Sequence, residues 1–220
     1  MTAGPFRIVF FDLDGTLVDT APEAAEALNR TLQRHGVPAV QPEQVRRWFG
    51  HGMIALLREA LETVAAGIEL PPREVVQAEF AAHYRDTSGQ RSVLYPAVPS
   101  TLAALGERGI RRVLITNKEE VCAARVIDSH GIAGLFDAHV FGDTFRARKP
   151  DPGGVIHYLD AWSIPARAAV LVGDSEVDLA TGRNAGTAVW LASYGYMRGG
   201  DVAAAGADRV VDRIDALLDL

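Results

Sequence analysis

Ile8-Val9-Phe10-Phe11-Asp12-Leu13-Asp14-Gly15-Thr16-Leu17-Val18-Asp19-Thr20 is the stretch from which the rest of the chain is read. It opens as a short apolar run, which suits a parallel strand buried on both faces. Two carboxylates follow, two residues apart, where that strand should end. Alternation along an extended chain turns Asp12 and Asp14 to the same side. Like charges that close are costly unless a cation or a shared proton relieves them. Gly15 allows a turn and a close approach of backbone to ligand, and Thr16 adds a hydroxyl beside its own N–H. A divalent metal together with a phosphoryl group accounts for all of these choices. Asp-Gly-Thr by itself, however, is also ordinary turn and cap chemistry.

Beyond Thr20 the pattern becomes helical. Ala21, Ala24, Ala25, Leu28 and Leu32 recur at helical spacing until Gly36-Val37-Pro38. A short helix from Pro42 to about Phe49, a third carrying Ile54, Leu57, Ala60 and Leu61, and a fourth over roughly residues 73–86 complete a block without strand-like alternation. Its size suits a small bundle of antiparallel helices. From Tyr95-Pro96 onward strands and helices alternate: strands at 112–115, 138–141, 168–172, 188–191 and 209–211, with helices near 99–108, 119–130, 153–162 and 177–185 and a closing helix at the end. Repeated strand–helix units predict an α/β fold with an open parallel sheet, its ligands at the carboxyl ends of the strands. The expected division is a core of residues 1–18 and 90–220 and a helical insertion of residues 19–89.

Composition narrows the function. Of 220 residues, 48% are hydrophobic and 23% charged, an ordinary globular balance. The net charge of −6 argues against a nucleic-acid partner, which calls for a basic face. No apolar run approaches a membrane span or the core of a signal peptide. Cys122 is the only cysteine, so no internal disulfide can form, and a cytoplasmic protein is expected, as monomer or homodimer. No pair of the six histidines has metal-binding spacing within a helical pattern.

Polar residues collect where the strands end. Thr116-Asn117-Lys118 follows the second long strand, and a Thr hydroxyl with the adjacent N–H can donate to a phosphoryl oxygen, although Thr-Asn is common turn chemistry too. Lys149-Pro150 follows the third strand, with Arg146 and Arg148 as competing cations. Gly173-Asp174-Ser175-Glu176-Val177-Asp178 follows the fourth, and Asp178 lies one helical turn beyond Asp174, so both carboxylates can face one point. Hard oxygen donors of this kind suit Mg²⁺.

These four strings, in this order, resemble the four motifs of the haloacid dehalogenase-like phosphohydrolases: Asp-x-Asp-Gly-Thr, a phosphate-holding Ser or Thr, Lys-Pro, and Gly-Asp-x-x-x-Asp. The resemblance implies a Rossmann-like core with a helical cap. It implies Asp12 as nucleophile, Asp14 as general acid and then base, and Lys149 as the neutralising cation. Phosphate would lie against Thr116, Asn117, Lys149, Gly15 and Thr16. Mg²⁺ would be held by Asp12, the Asp14 carbonyl and Asp174, with Asp178 holding a ligating water. Dehalogenase and phosphonate-cleaving relatives lack the acid at Asp14, which favours phosphate-ester chemistry.

Trp48-Phe49-Gly50-His51-Gly52 resembles the cap segment of phosphoglycolate phosphatases, with Arg47, Gly50, His51 and Gly52 as candidate substrate contacts. A helix–helix turn with a core Trp and Phe explains that segment equally well. Tyr95-Pro96, Arg148-Lys149-Pro150-Asp151-Pro152, Ser193-Tyr194-Gly195-Tyr196 and Ala207-Asp208-Arg209-Val210-Val211 extend the likeness over nearly the whole chain. Ala97 departs from it, standing where relatives commonly carry Gly. The expected activity is Mg²⁺-dependent hydrolysis of a small phosphate ester, foremost 2-phosphoglycolate. The alternatives are a sugar phosphate or pyrophosphate substrate, a phosphoglucomutase-type transfer, or a non-catalytic phosphate-binding domain.

Overall fold

A computed structural model describes residues 6–197 and 202–219. Its elements in chain order are β1 (Ile8–Phe11), β2 (Val18–Asp19), α1 (Ala21–Arg34), α2 (Pro42–Arg46), α3 (Met53–Val64), α4 (Arg73–Thr87), β3 (Val93–Leu94), α5 (Val98–Glu107), β4 (Arg111–Ile115), α6 (Glu120–Ser129), β5 (Ala138–Val140), α7 (Gly153–Ala161), β6 (Ala169–Gly173), α8 (Glu176–Ala185), β7 (Ala188–Ala192) and β8 (Arg209–Val211). Six strands form one parallel sheet in the order β5-β4-β1-β6-β7-β8. The α/β class expected from the strand–helix alternation is what the chain adopts.

β1 is the central strand, and the four residues of its apolar run expose nothing to solvent. The period of two divides them. Val9 and Phe11 join the core that includes Leu102 and Leu105 of α5 and Val126 of α6, while Ile8 and Phe10 join the core with Val155 and Leu159 of α7. A strand covered by helices on both faces has no polar side to offer, which is why the sequence there is a continuous apolar run.

The helices α1 to α4 carry a third core of their own. Leu28 and Leu32 of α1, Leu56 and Leu57 of α3, and Phe80 and Tyr84 of α4 close around Trp48. Cys122 at the start of α6 joins this cluster, so the helical block also rests on the sheet-bearing part.

Two features differ from the sequence expectation. β2 and β3 pair antiparallel as a separate ribbon, with Val18 opposite Leu94 and Asp19 opposite Val93, at the point where the chain enters and leaves the helical block. Two-residue strands are too short to show any alternation. The closing helix is a 3₁₀ segment, Ile214–Asp219, whose Ile214, Ala216 and Leu217 are buried. Its last expected residue, Leu220, lies outside the described residues, as do residues 1–5 of the expected core.

Ala97, which precedes α5, adopts φ 63° and ψ 4°, the left-handed region. That conformation costs an L-residue roughly 1–2 kcal/mol, whereas glycine reaches it freely but loses about 0.5–1 kcal/mol more chain entropy on folding. Ala97→Gly is therefore expected to raise stability by about 0.5–1 kcal/mol in urea unfolding. A loss of stability would contradict this account of the turn.

Candidate active site

The strand order brings the tips of β4, β1 and β6 side by side, and each tip delivers polar residues: Thr116 to Lys118, Asp12 to Asp14, and Asp174. Lys149 arrives from the loop between β5 and α7. Its ammonium is buried, with Nζ 2.6 Å from Asp12 Oδ1 and 2.6 Å from Asp178 Oδ1. One oxygen each from Asp12, Asp174 and Asp178 lies within 4.8 Å of the others, and all three residues are buried. Three carboxylates thus gather at one ammonium, which contacts two of them. Burial, and then the neighbouring aspartates, push the Asp12 carboxyl up to about 7 against the pull of Lys149. Burial, Asp12 and Asp178 likewise hold Asp174 well above the usual carboxylate range. Such strain is relieved by protons or by a divalent cation. Hard oxygen donors converging at this distance fit a metal ion.

Asp174 is held by its surroundings. Thr16 Oγ1 donates to its Oδ1 at 3.1 Å, and the Tyr196 N–H donates to Oδ2. Gly15 sits at φ +88°, where a Cβ would lie 2.3 Å from Asp174 Oδ2. Gly15 and Thr16, expected beside phosphate, are placed against Asp174, which the Thr16 hydroxyl bonds and the Gly15 backbone abuts. Asp178 closes a capping box at the start of α8. Its Oδ2 accepts from Ser175 Oγ and from the N–H groups of Asp174 and Ser175, while Oδ1 faces Lys149.

Thr116 lines the cleft, and its Oγ1 accepts the Lys118 N–H at 3.1 Å, so its own hydrogen is available to a ligand. Asn117 lines the cleft as well. Its amide donates to the Gly50 and Lys149 carbonyls, at 3.1 and 3.0 Å, and ties the Gly50–Gly52 loop to the lysine loop.

A cavity of about 70 Å³, suited to a small molecule, opens between these tips and the helical block. Gly50, His51 and Gly52 line it, with Phe49, Met53 and Leu56 as apolar wall. Arg47 does not line it. Val45 and Trp48 turn into the core of the helical block, which leaves Arg47 on the exposed side. Arg46 reaches inward instead and pairs with Asp19 at 2.6 Å.

Several residues of the site carry no motif of their own. Tyr196 donates from its hydroxyl to Asp19, and that oxygen accepts the N–H groups of Thr20 and Ala21 at the start of α1. Lys118, Tyr84 and Glu23 form a buried cluster beside Asp14. Lys118 and Tyr196 stand within strings that resemble family motifs, but nothing local in those strings assigns them a task. Only a buried charge such as Glu23 on an otherwise apolar helix face offered a signal.

A family model of the haloacid dehalogenase-like hydrolases matches residues 9–192. The chain belongs to that family. Relatives include the plasmid phosphoglycolate phosphatase of Cupriavidus necator, 40% identical over 97% of this chain and 92% of its own length. Another, the phosphoglycolate phosphatase of Vibrio cholerae, is 37% identical over 97% of this chain and 96% of its own. Among solved structures, a protein of Haemophilus somnus described as a predicted phosphoglycolate phosphatase superposes with a TM-score of 0.92 at 28% identity, covering 98% of this chain and 97% of that one. The acidic cluster, the buried lysine and the Thr116 tip occupy the end of the sheet where an α/β hydrolase of this kind binds its ligand.

Because a side chain at residue 15 would collide with Asp174, Gly15→Ala is expected to weaken divalent-metal binding about 10–100-fold. Titration calorimetry with circular dichroism as a fold check would measure this. Unaltered affinity would show that Gly15 does not set the position of Asp174.

Proposed function

We propose that the protein is a Mg²⁺-dependent phosphomonoester hydrolase that works through an aspartyl-phosphate, with 2-phosphoglycolate as substrate and glycolate and phosphate as products. The observation that carries this reading is the buried Asp12–Lys149–Asp178 arrangement beside Asp174, in a chain whose full-length relatives are named phosphoglycolate phosphatases. Lys149 holds Oδ1 of Asp12, which leaves Oδ2 to attack phosphorus. The Oδ2–P bond forms as the bond from phosphorus to the alkoxy oxygen breaks, and Asp14 gives that oxygen its proton. Asp14 then takes a proton from water as the water oxygen bonds phosphorus and the aspartyl bond breaks, releasing phosphate. The Thr116 hydroxyl and the Lys149 ammonium donate to the phosphoryl oxygens.

Asp12, Asp174 and the carbonyl of Asp14 would hold Mg²⁺, with Asp178 reaching it through a water. When bound, the ion supplies positive charge to the carboxylates and to the phosphoryl oxygens. Residues 19–89 act as a cap over a core of residues 1–18 and 90–220, and the Gly50-His51-Gly52 loop meets the substrate carboxylate. Asn117 supports that loop. The enzyme acts on a small molecule in the cytoplasm, as monomer or homodimer, without nucleic acid. The single cysteine supports the compartment and the net charge of −6 the lack of a nucleic-acid partner; among the described residues no helix is long and apolar enough to cross a membrane.

A panel of phosphate esters scored by kcat/KM tests the proposal. It is expected to rank 2-phosphoglycolate above sugar phosphates and pyrophosphate, to lose activity on chelation and to regain it with Mg²⁺. Asp12→Asn should lower turnover by at least about 10³-fold while the fold persists. Activity that survives both chelation and Asp12→Asn would refute the mechanism, and a better sugar-phosphate substrate would refute the choice of ester.

A further inference from the structure

Lys118 lies directly beyond Asn117 at the tip of β4, yet its side chain turns away from the Lys149 cluster. The side chain is 2% exposed, and its ammonium reaches three partners. It donates to Asp14 Oδ1 at 2.9 Å and to the Tyr84 hydroxyl at 2.8 Å, and it faces Glu23 Oε1 at 3.5 Å. Nζ also lies 4.7 Å from the centre of the Tyr84 ring. Glu23 is fully buried on α1, and its second oxygen accepts the Gly89 N–H at 2.8 Å, just after α4. Gly89 itself abuts the Arg125 carbonyl on α6, where a Cβ would come within 2.6 Å. One ammonium therefore joins the tip of β4 and Asp14 to both long helices of the helical block.

A buried cation is expensive unless its neighbours compensate, and removing one member of such a set leaves the others unpaired. Simple packing at this position would be served as well by an apolar side chain. The position of the bond on Asp14 is more telling. Oδ1 accepts from Lys118 and also from Thr20 Oγ1, so both of its acceptor directions are taken. A proton on Asp14 is thereby left to Oδ2. A carboxylic acid can serve a leaving oxygen only when its O–H is on the oxygen turned to the substrate and its rotamer is fixed.

We propose that Lys118 is a positioning residue for the reaction: by fastening Oδ1 of Asp14 it assigns proton delivery to Oδ2, and through Tyr84 and Glu23 it makes that assignment depend on the seating of the helical block. The proposal rests on Asp14 being the acid and base of the hydrolysis proposed above.

A double-mutant cycle separates the two. Steady-state kinetics with Mg²⁺ are measured on the best alkyl ester of the panel for the wild type, Lys118→Met, Asp14→Asn and the double variant. Lys118→Met is expected to lower kcat about 10–10²-fold with KM changed less than about threefold, the signature of impaired proton transfer. Added to Asp14→Asn, the same change should cost less than about twofold, because the residue it acts through is already lost. With 4-nitrophenyl phosphate, whose leaving group needs little protonation, the first-turnover burst of Lys118→Met should stay within about threefold of the wild type while steady-state turnover falls.

Should Lys118→Met fail to fold, Tyr84→Phe removes only a hydroxyl partner. It is expected to lower kcat by about 3–10-fold, again without added effect on Asp14→Asn. Unchanged kcat in Lys118→Met beside a collapsed Asp14→Asn would overturn the proposal alone, as would unchanged kcat in Tyr84→Phe where Lys118→Met does not fold. Equal losses in both backgrounds would overturn it too, since they mark a general structural effect. Full activity of Asp14→Asn would overturn the acid–base reading and the proposal with it.

Discussion

The Lys149 ammonium, out of solvent between Asp12 and Asp178, is the interaction on which the rest depends. The tips of β1 and β6 and the first turn of α8 bring three carboxylates to one point, and their mutual repulsion, sharpened by burial, opposes that convergence. A single lysine offsets only part of it. The same imbalance that strains the folded chain makes the site receptive to a divalent cation and, with the cation, to a phosphoryl group. Stability and chemistry are thus set by the same residues. Much of the surrounding structure serves to keep them in place: Thr16, Gly15 and the Tyr196 N–H around Asp174, and Ser175 with its capping box around Asp178.

Around this centre the helical block is fastened at several points, each through a polar contact beside a reactive group. Asn117 bonds the Gly50 carbonyl and the Lys149 carbonyl at once. Tyr196 reaches from the turn after β7 to the first N–H groups of α1, and Asp19 continues from it to Arg46 on α2. Lys118 links Asp14 to α1 and α4. A shift of the helical block cannot leave these contacts unchanged, so the position of the block and the geometry of the reacting groups are physically joined.

The central strand, the order of strands and helices, and the residues at the strand tips were legible because each leaves a local mark. A continuous apolar run, a carboxylate pair and a Lys-Pro step can all be read without knowing what lies opposite. The β2–β3 ribbon could not be read, since two residues have no period. Thr16 follows the carboxylate pair directly, but the bond from its hydroxyl to Asp174 joins residues 158 apart, which no local pattern shows. Arg46 and Arg47 are adjacent and chemically alike, and which of them faces inward depends on how α2 seats Val45 and Trp48. Glu23, Tyr84 and Lys118 come from three separate parts of the chain, and their meeting is a property of the tertiary fold alone.

The most direct measurement is a crystal structure with Mn²⁺ in place of Mg²⁺ and beryllium fluoride as a mimic of the transferred phosphoryl group, the metal located by its anomalous signal. The account expects one ion between the carboxylates of Asp12 and Asp174, with the fluoride adduct on Asp12 in contact with Thr116 and Lys149. An ion bound elsewhere, or an adduct that leaves Asp12 untouched, would contradict it.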